Sequence, residues 1–120
     1  MQKNSGNGIK RLINAFGWSM AGLAAATKNE KAFQQELILC LLLGPVAILL
    51  GKNATEQALL VGALLLILIV EMLNSALEAV VDRIGPEQHE LAGRAKDMGS
   101  AAVFLAMVNA AIFWALILLG

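Results

Sequence analysis

Glu71, Asn74, Glu78 and Asp82 recur at spacings of three and four residues, and in helical projection they fall within an arc of about 80°. The stretch that carries them is otherwise largely apolar, so the stripe is a row of polar groups inside a hydrophobic helix. An ionisable group at the centre of a bilayer costs at least about 2.5–3.5 kcal/mol, and such groups usually face a protein interior or a pathway. Two uses fit Glu71: a general base for an alcohol held at that depth, or a structural hydrogen bond between helices that fixes assembly. Asn74, an amide and so no base, either faces the same interior or pathway or makes such a structural hydrogen bond. Glu78 lies two turns on, about 10 Å along the helix, at the water boundary. One or two carboxylates there suit a Mg²⁺ ion that also binds phosphate oxygens.

Residues 82–97 supply cations, carboxylates and two glycines directly above this stripe. Lys96 is the best placed of them, at the start of a helix whose N-terminus also favours phosphate. His89 stands alone and reads as a surface residue, since nothing around it resembles a zinc site. The G-x-x-x-x-G-K-[ST] phosphate loop and the protein-kinase catalytic loop are both absent from the sequence.

The elements that position these residues follow from the apolar blocks. Of 120 residues 58% are hydrophobic, and they gather into blocks instead of alternating as they would in a soluble domain. About 20 apolar residues cross a bilayer, which predicts transmembrane helices over 30–50, 58–81 and 98–119. Gly44-Pro45 predicts a tolerable kink inside the first span, and Gly85-Pro86 ends the second. A restart near Lys96 to Gly99 begins the third. No small-residue cleavage site follows the first block, so it is expected to remain as a span.

Ahead of the spans, residues 1–7 are expected to be disordered. Ile9, Leu12, Ile13, Phe16, Met20 and Leu23 share one face of an 8–27 helix, with Arg11, Asn14 and Trp18 opposite, as in a helix lying on a membrane surface. Thr27 and Glu30 have the spacing of a capping box at the start of the first span. Five basic residues precede that span and only Lys52 follows it, whereas Arg83, Arg94 and Lys96 lie between the second and third. This bias puts the N-terminus and the 82–97 loop in the cytoplasm. Cys40 lies within an apolar block and reads as a packing residue; as the single cysteine it forms no intrachain disulfide.

The run Glu71-Met72-Leu73-Asn74-Ser75-Ala76-Leu77-Glu78-Ala79-Val80-Val81-Asp82, followed by Gly93-Arg94-Ala95-Lys96-Asp97, closely resembles the bacterial integral-membrane diacylglycerol kinase family. The likeness extends over nearly the whole chain, including Asn29-Glu30-Lys31-Ala32-Phe33 and Gln35-Glu36. It implies an all-α membrane protein that assembles as a homotrimer in the bacterial inner membrane, with no nucleic-acid partner. The implied reaction is transfer of the γ-phosphoryl group of ATP, with Mg²⁺, to diacylglycerol to give phosphatidic acid for lipid recycling. Carried over by position, Glu71 resembles the catalytic base, and Glu30 and Glu78 resemble the pair that holds Mg²⁺ and nucleotide. Arg11, Trp18, Glu87, Gln88, His89, Lys96 and Asp97 resemble the remaining ATP contacts. Arg11, Ser19, Phe33, Glu36, Glu71, Ser100 and Trp114 fall on substrate-binding positions, and Asn74 on a supporting one. Asn14, Ala24 and Gln34 are neutral where family members commonly carry cations.

Two residues keep a second reading at this stage. A capping box accounts for Glu30 without metal, and Trp18 fits an interfacial anchor as well as an adenine platform. Two functions compete with the implied one: undecaprenol phosphorylation on the same fold, and non-catalytic proton-coupled transport through Glu71. Transport is disfavoured by three spans that show no inverted repeat and by polar groups gathered on one side.

Overall fold

The computed structural model describes residues 7–85 and 90–120. Four helices account for almost all of them: α1 (Gly8–Asn29), α2 (Lys31–Leu50), α3 (Ala54–Ile84) and α4 (Glu90–Leu119). The last three are long and apolar enough to cross a membrane. Residues 1–6, Pro86, Glu87, Gln88 and His89, for which the sequence sets expectations, lie outside the described residues.

Local chemistry sets each helix end. Asn7 caps α1, its side-chain oxygen accepting from the Lys10 N–H at 2.8 Å, and so satisfies one of the donors a helix start leaves free. The joint between α1 and α2 is a single extended residue, Glu30 (φ −108°, ψ 107°). The expected capping box is not formed. Thr27 sits inside α1 and donates its hydroxyl to the Leu23 carbonyl at 2.8 Å, while Glu30 makes no side-chain cap bond. Gln34 secures the joint instead, its amide nitrogen reaching back to the carbonyls of Thr27 at 2.8 Å and Lys28 at 3.3 Å. Those are acceptors that the end of α1 would otherwise leave unpaired.

The α2–α3 turn closes at Gly51, where an added Cβ would lie 2.6 Å from Gln57 Cγ and 2.9 Å from its backbone nitrogen. Asn53 then caps α3 through the Glu56 N–H at 2.9 Å, and Glu56 accepts in return from the Lys52 N–H at 2.9 Å. α4 begins at Glu90, earlier than the expected restart near Lys96 to Gly99. An acidic residue suits the first turn, and Arg94 pairs with Glu90 one turn on at 3.6 Å. Both side chains are exposed, so the pair contributes little to stability.

α3 is the central element, packed on both α2 and α4. Its buried residues are Leu60, Ala63, Leu64, Ile67, Glu71, Asn74 and Ser75, a single stripe at helical spacing. The first four are apolar. Ala63 and Ile67 meet Ala106 and Ala110 of α4, with Val70, Phe113 and Trp114 around them; small residues let two apolar helices approach closely where no hydrophobic effect drives them together. Trp114 donates its indole N–H to the Leu60 carbonyl at 3.1 Å, and the Cys40 thiol reaches the Leu64 carbonyl at 3.5 Å. On the outside of the three long helices, large apolar side chains such as Leu41, Leu49, Leu65, Phe104 and Leu116 stand exposed. Hydrocarbon solvates such a surface; water would penalise it.

Candidate active site

The upper part of the α3 stripe changes chemistry without changing geometry. Glu71 is 4% exposed, Ser75 7% and Asn74 9%, so this helix buries a carboxyl, a hydroxyl and an amide in succession. Ser75 donates to Glu71 Oε2 at 3.4 Å, and the Asn74 nitrogen donates to Glu78 Oε2 at 3.4 Å. Each bond spans one helical turn, so helix periodicity alone aligns the pairs.

A cavity of about 440 Å³ opens beside them. Its polar lining is Glu30 from the α1–α2 joint, Glu71, Asn74 and Glu78 from α3, and Ser100 from α4; Val103, Phe104 and Met107 complete an apolar wall. Five of the residues singled out in the sequence thus come together, contributed by three separate parts of the chain. The donor set suits an alcohol on an apolar tail: a buried carboxylate able to accept a proton, bounded by hydrocarbon on one side and carboxylates on the other. No cluster of three or more His, Cys, Asp or Glu side chains able to hold a metal occurs among the described residues. Glu30 and Glu78 nonetheless fit Mg²⁺, which takes one or two carboxylates and completes its shell with phosphate oxygens and water.

The other candidates occupy different places. Glu36 is buried on α2 with its carboxyl beside that of Glu71, and its Oε1 has no hydrogen-bond partner among the described residues. Phe33, 2% exposed, belongs to a second, wholly apolar cavity of about 330 Å³ that also meets Leu23, Leu37, Ile69 and Met72. Arg11 and Asp97 are exposed and Trp18 is half-buried, and none of the three borders the polar cavity. Ser19 is exposed and spends its hydroxyl on the Ala15 carbonyl at 2.9 Å. Trp114 belongs to the apolar core, beside Leu60 at the far end of the stripe. Lys96 is not free: its ammonium pairs with Asp82 Oδ1 at 2.9 Å. Ser75 and this Lys96–Asp82 pair are the contacts that sequence reasoning missed. The four-residue step from Glu71 was a signal for the first; nothing local signals the second.

Residues 17–118 match the family model for prokaryotic diacylglycerol kinase. The chain belongs to this family. It is 52% identical over 115 residues to a protein of Escherichia coli K12 named diacylglycerol kinase, covering 96% of this chain and 94% of the relative. A Pseudomonas aeruginosa relative of the same name is 52% identical, over 94% of this chain and 92% of its own. The Helicobacter pylori diacylglycerol kinase is 43% identical, over 92% and 83%. The matched region of the family model contains every cavity residue, all of α2 and α3, and α4 up to its penultimate residue.

Proposed function

We propose that this chain is a membrane-embedded diacylglycerol kinase whose chemistry takes place in the cavity of Glu30, Glu71, Asn74, Glu78 and Ser100. The observation that carries the reading is this one cavity, which joins a buried carboxylate, two further carboxylates and an apolar wall. Family membership favours a kinase over a transporter with a lone membrane carboxylate.

Phosphoryl transfer needs in-line positioning and neutralisation of charge more than covalent participation by the protein. Glu71 accepts the proton of the diacylglycerol hydroxyl as that oxygen attacks the γ-phosphorus of ATP. The bond from phosphorus to the β,γ-bridging oxygen breaks, and ADP and phosphatidic acid result. Ser75 holds Glu71 Oε2, and this fixes which carboxylate edge points away from the helix. Glu30 and Glu78 would hold the Mg²⁺ that accompanies ATP, which supplies charge neutralisation at the phosphates. Lys96 leaves Asp82 to meet the triphosphate, an exchange of one exposed anion for another at small cost.

Arg11, Trp18 and Asp97 reach nucleotide only outside the cavity wall, and the homotrimer implied by the family offers a surface on which they do so. With Glu87, Gln88 and His89 they form the outer ATP contacts. Ser19, Phe33, Glu36 and Trp114 remain proposed lipid contacts. α1 rests on the bilayer, its exposed Ile9, Leu12, Ile13 and Phe16 dipping into the headgroup boundary. Charge bias sets the N-terminus and residues 82–97 on the cytoplasmic side of the inner membrane.

The deciding experiment measures ATP consumption and phosphatidic acid formation by the purified protein, with and without diacylglycerol. Glu71→Gln should lower turnover by about 10²–10⁴-fold while helix content and binding of a non-hydrolysable MgATP analogue persist. A variant that keeps most of its turnover removes Glu71 from the role of base.

A further inference from the structure

Asn74 lies where the polar cavity meets the α3–α4 interface, and its two amide ends face different neighbours. The nitrogen donates to Glu78. A carboxylate only accepts, so this end of the amide must be the nitrogen and the oxygen must point the other way. That oxygen is buried and accepts no hydrogen bond among the described residues. It projects onto Gly99 of α4: a Cβ built on Gly99 would overlap Asn74 Oδ1 and stand 3.1 Å from Asn74 Cγ. By contrast, Gly62 and Gly93, on the same two helices, have nothing within 4 Å of an added Cβ. The amide oxygen therefore occupies volume that any other residue at 99 would fill. What remains for it is a Cα–H contact of the weak kind that recurs where helices approach closely.

We infer that Gly99 is a positioning residue for the kinase site: its bare backbone seats the Asn74 amide so that the nitrogen holds Glu78 toward the cavity. The inference rests on the assignment of Glu78 to the nucleotide site proposed above. An alanine at 99 conflicts with the free end of a short side chain more than with backbone. The amide swings away and the α3–α4 pair stays docked. Glu78 then loses its nearest donor and the orientation that donor imposes. Gly99 acts on ligand binding through Asn74, and so its effect depends on Asn74 being present.

The test uses the full-length protein in bilayers, with a non-hydrolysable MgATP analogue titrated by calorimetry. Gly99→Ala and Asn74→Ala should each weaken analogue binding about 10-fold, the usual scale for losing a partner that orients a ligand group. KM for MgATP should rise in parallel, and in Gly99→Ala the loss should fall on KM more than on kcat. The double variant should bind no more weakly than Asn74→Ala alone, because truncating Asn74 empties the contested volume. Unchanged analogue binding in Gly99→Ala, or losses that add in the double variant, overturns the inference. If Gly99→Ala does not fold, the double variant, free of the overlap, should fold and match Asn74→Ala; binding ten-fold weaker than Asn74→Ala overturns it. Glu78→Gln separates the two levels. Weak binding there beside normal binding in Gly99→Ala removes the positioning role alone, whereas normal binding in Glu78→Gln removes the nucleotide assignment and this inference together.

Discussion

The two halves of α3 present one stripe at one spacing, yet they meet α4 in opposite ways. Around Ala63 and Ile67 the neighbours are Ala106 and Ala110, and the helices close on each other. Around Glu71 and Glu78 the same two helices leave a cavity of about 440 Å³. The apolar half gains from contact, since dispersion and close approach are what associate helices in lipid. The polar half cannot be closed cheaply, because each carboxylate needs a partner or water once buried. The candidate site lies where packing stops.

That contrast can be broken from either side. The largest effects should come from the open half. Glu30→Gln and Glu78→Gln should each raise the Mg²⁺ concentration for half-maximal turnover by about 10–100-fold, and the double variant should fall well short of the product. On the proposed reading the two carboxylates, which line one cavity, serve one ligand, so their losses should not be independent. Unchanged Mg²⁺ dependence in Glu30→Gln would remove that residue from the metal site. In the closed half, Ala106→Leu overfills the contact with Ala63 and Ile67, and should cost about 1–3 kcal/mol of stability, read as a lower thermal midpoint in detergent. Activity per folded molecule should stay near normal; a selective loss of turnover would mean that the halves are not separable. The smallest effect belongs to Trp114→Phe. It removes the 3.1 Å indole bond to the Leu60 carbonyl, worth about 0.5–1.5 kcal/mol, and trims the ring packed beside Ala63 and Ile67, again with turnover kept. An unchanged KM for the lipid in that variant would remove Trp114 from the proposed lipid contacts.

Much of this arrangement is legible in the sequence. Helical periodicity alone aligns Glu71, Asn74 and Glu78, and block hydropathy alone gives three long apolar helices, because both depend only on neighbours in the chain. Misreadings arose where a short motif had two physical solutions. Thr27 and Glu30 match a capping box by spacing, but α1 continues through Thr27 to Asn29, and Gln34 closes the joint on the carbonyls of Thr27 and Lys28. Glu30 is thereby left for the cavity. The start of α4 was placed too late because polar residues from Glu90 to Asp97 dilute the apolar signal without opposing a helix. Nothing local joins Asp82 to Lys96, or Asn74 to Gly99. Those pairs depend on how two helices dock, and a single sequence does not encode that in any window of neighbouring residues.

One consequence follows from the continuity of α3 from Ala54 to Ile84. On the proposed assignment, Glu71 as proton acceptor and Glu78 as nucleotide-side carboxylate are graduations on a single rod, about 10 Å apart by helical rise. No hinge lies between them to adjust that interval. With Glu71 as the proposed base, selection among lipids would work as a gauge works: an alcohol would react when its own anchoring brings the hydroxyl to the Glu71 mark. One carried too high or too low misses the phosphorus, however tightly its tail is bound.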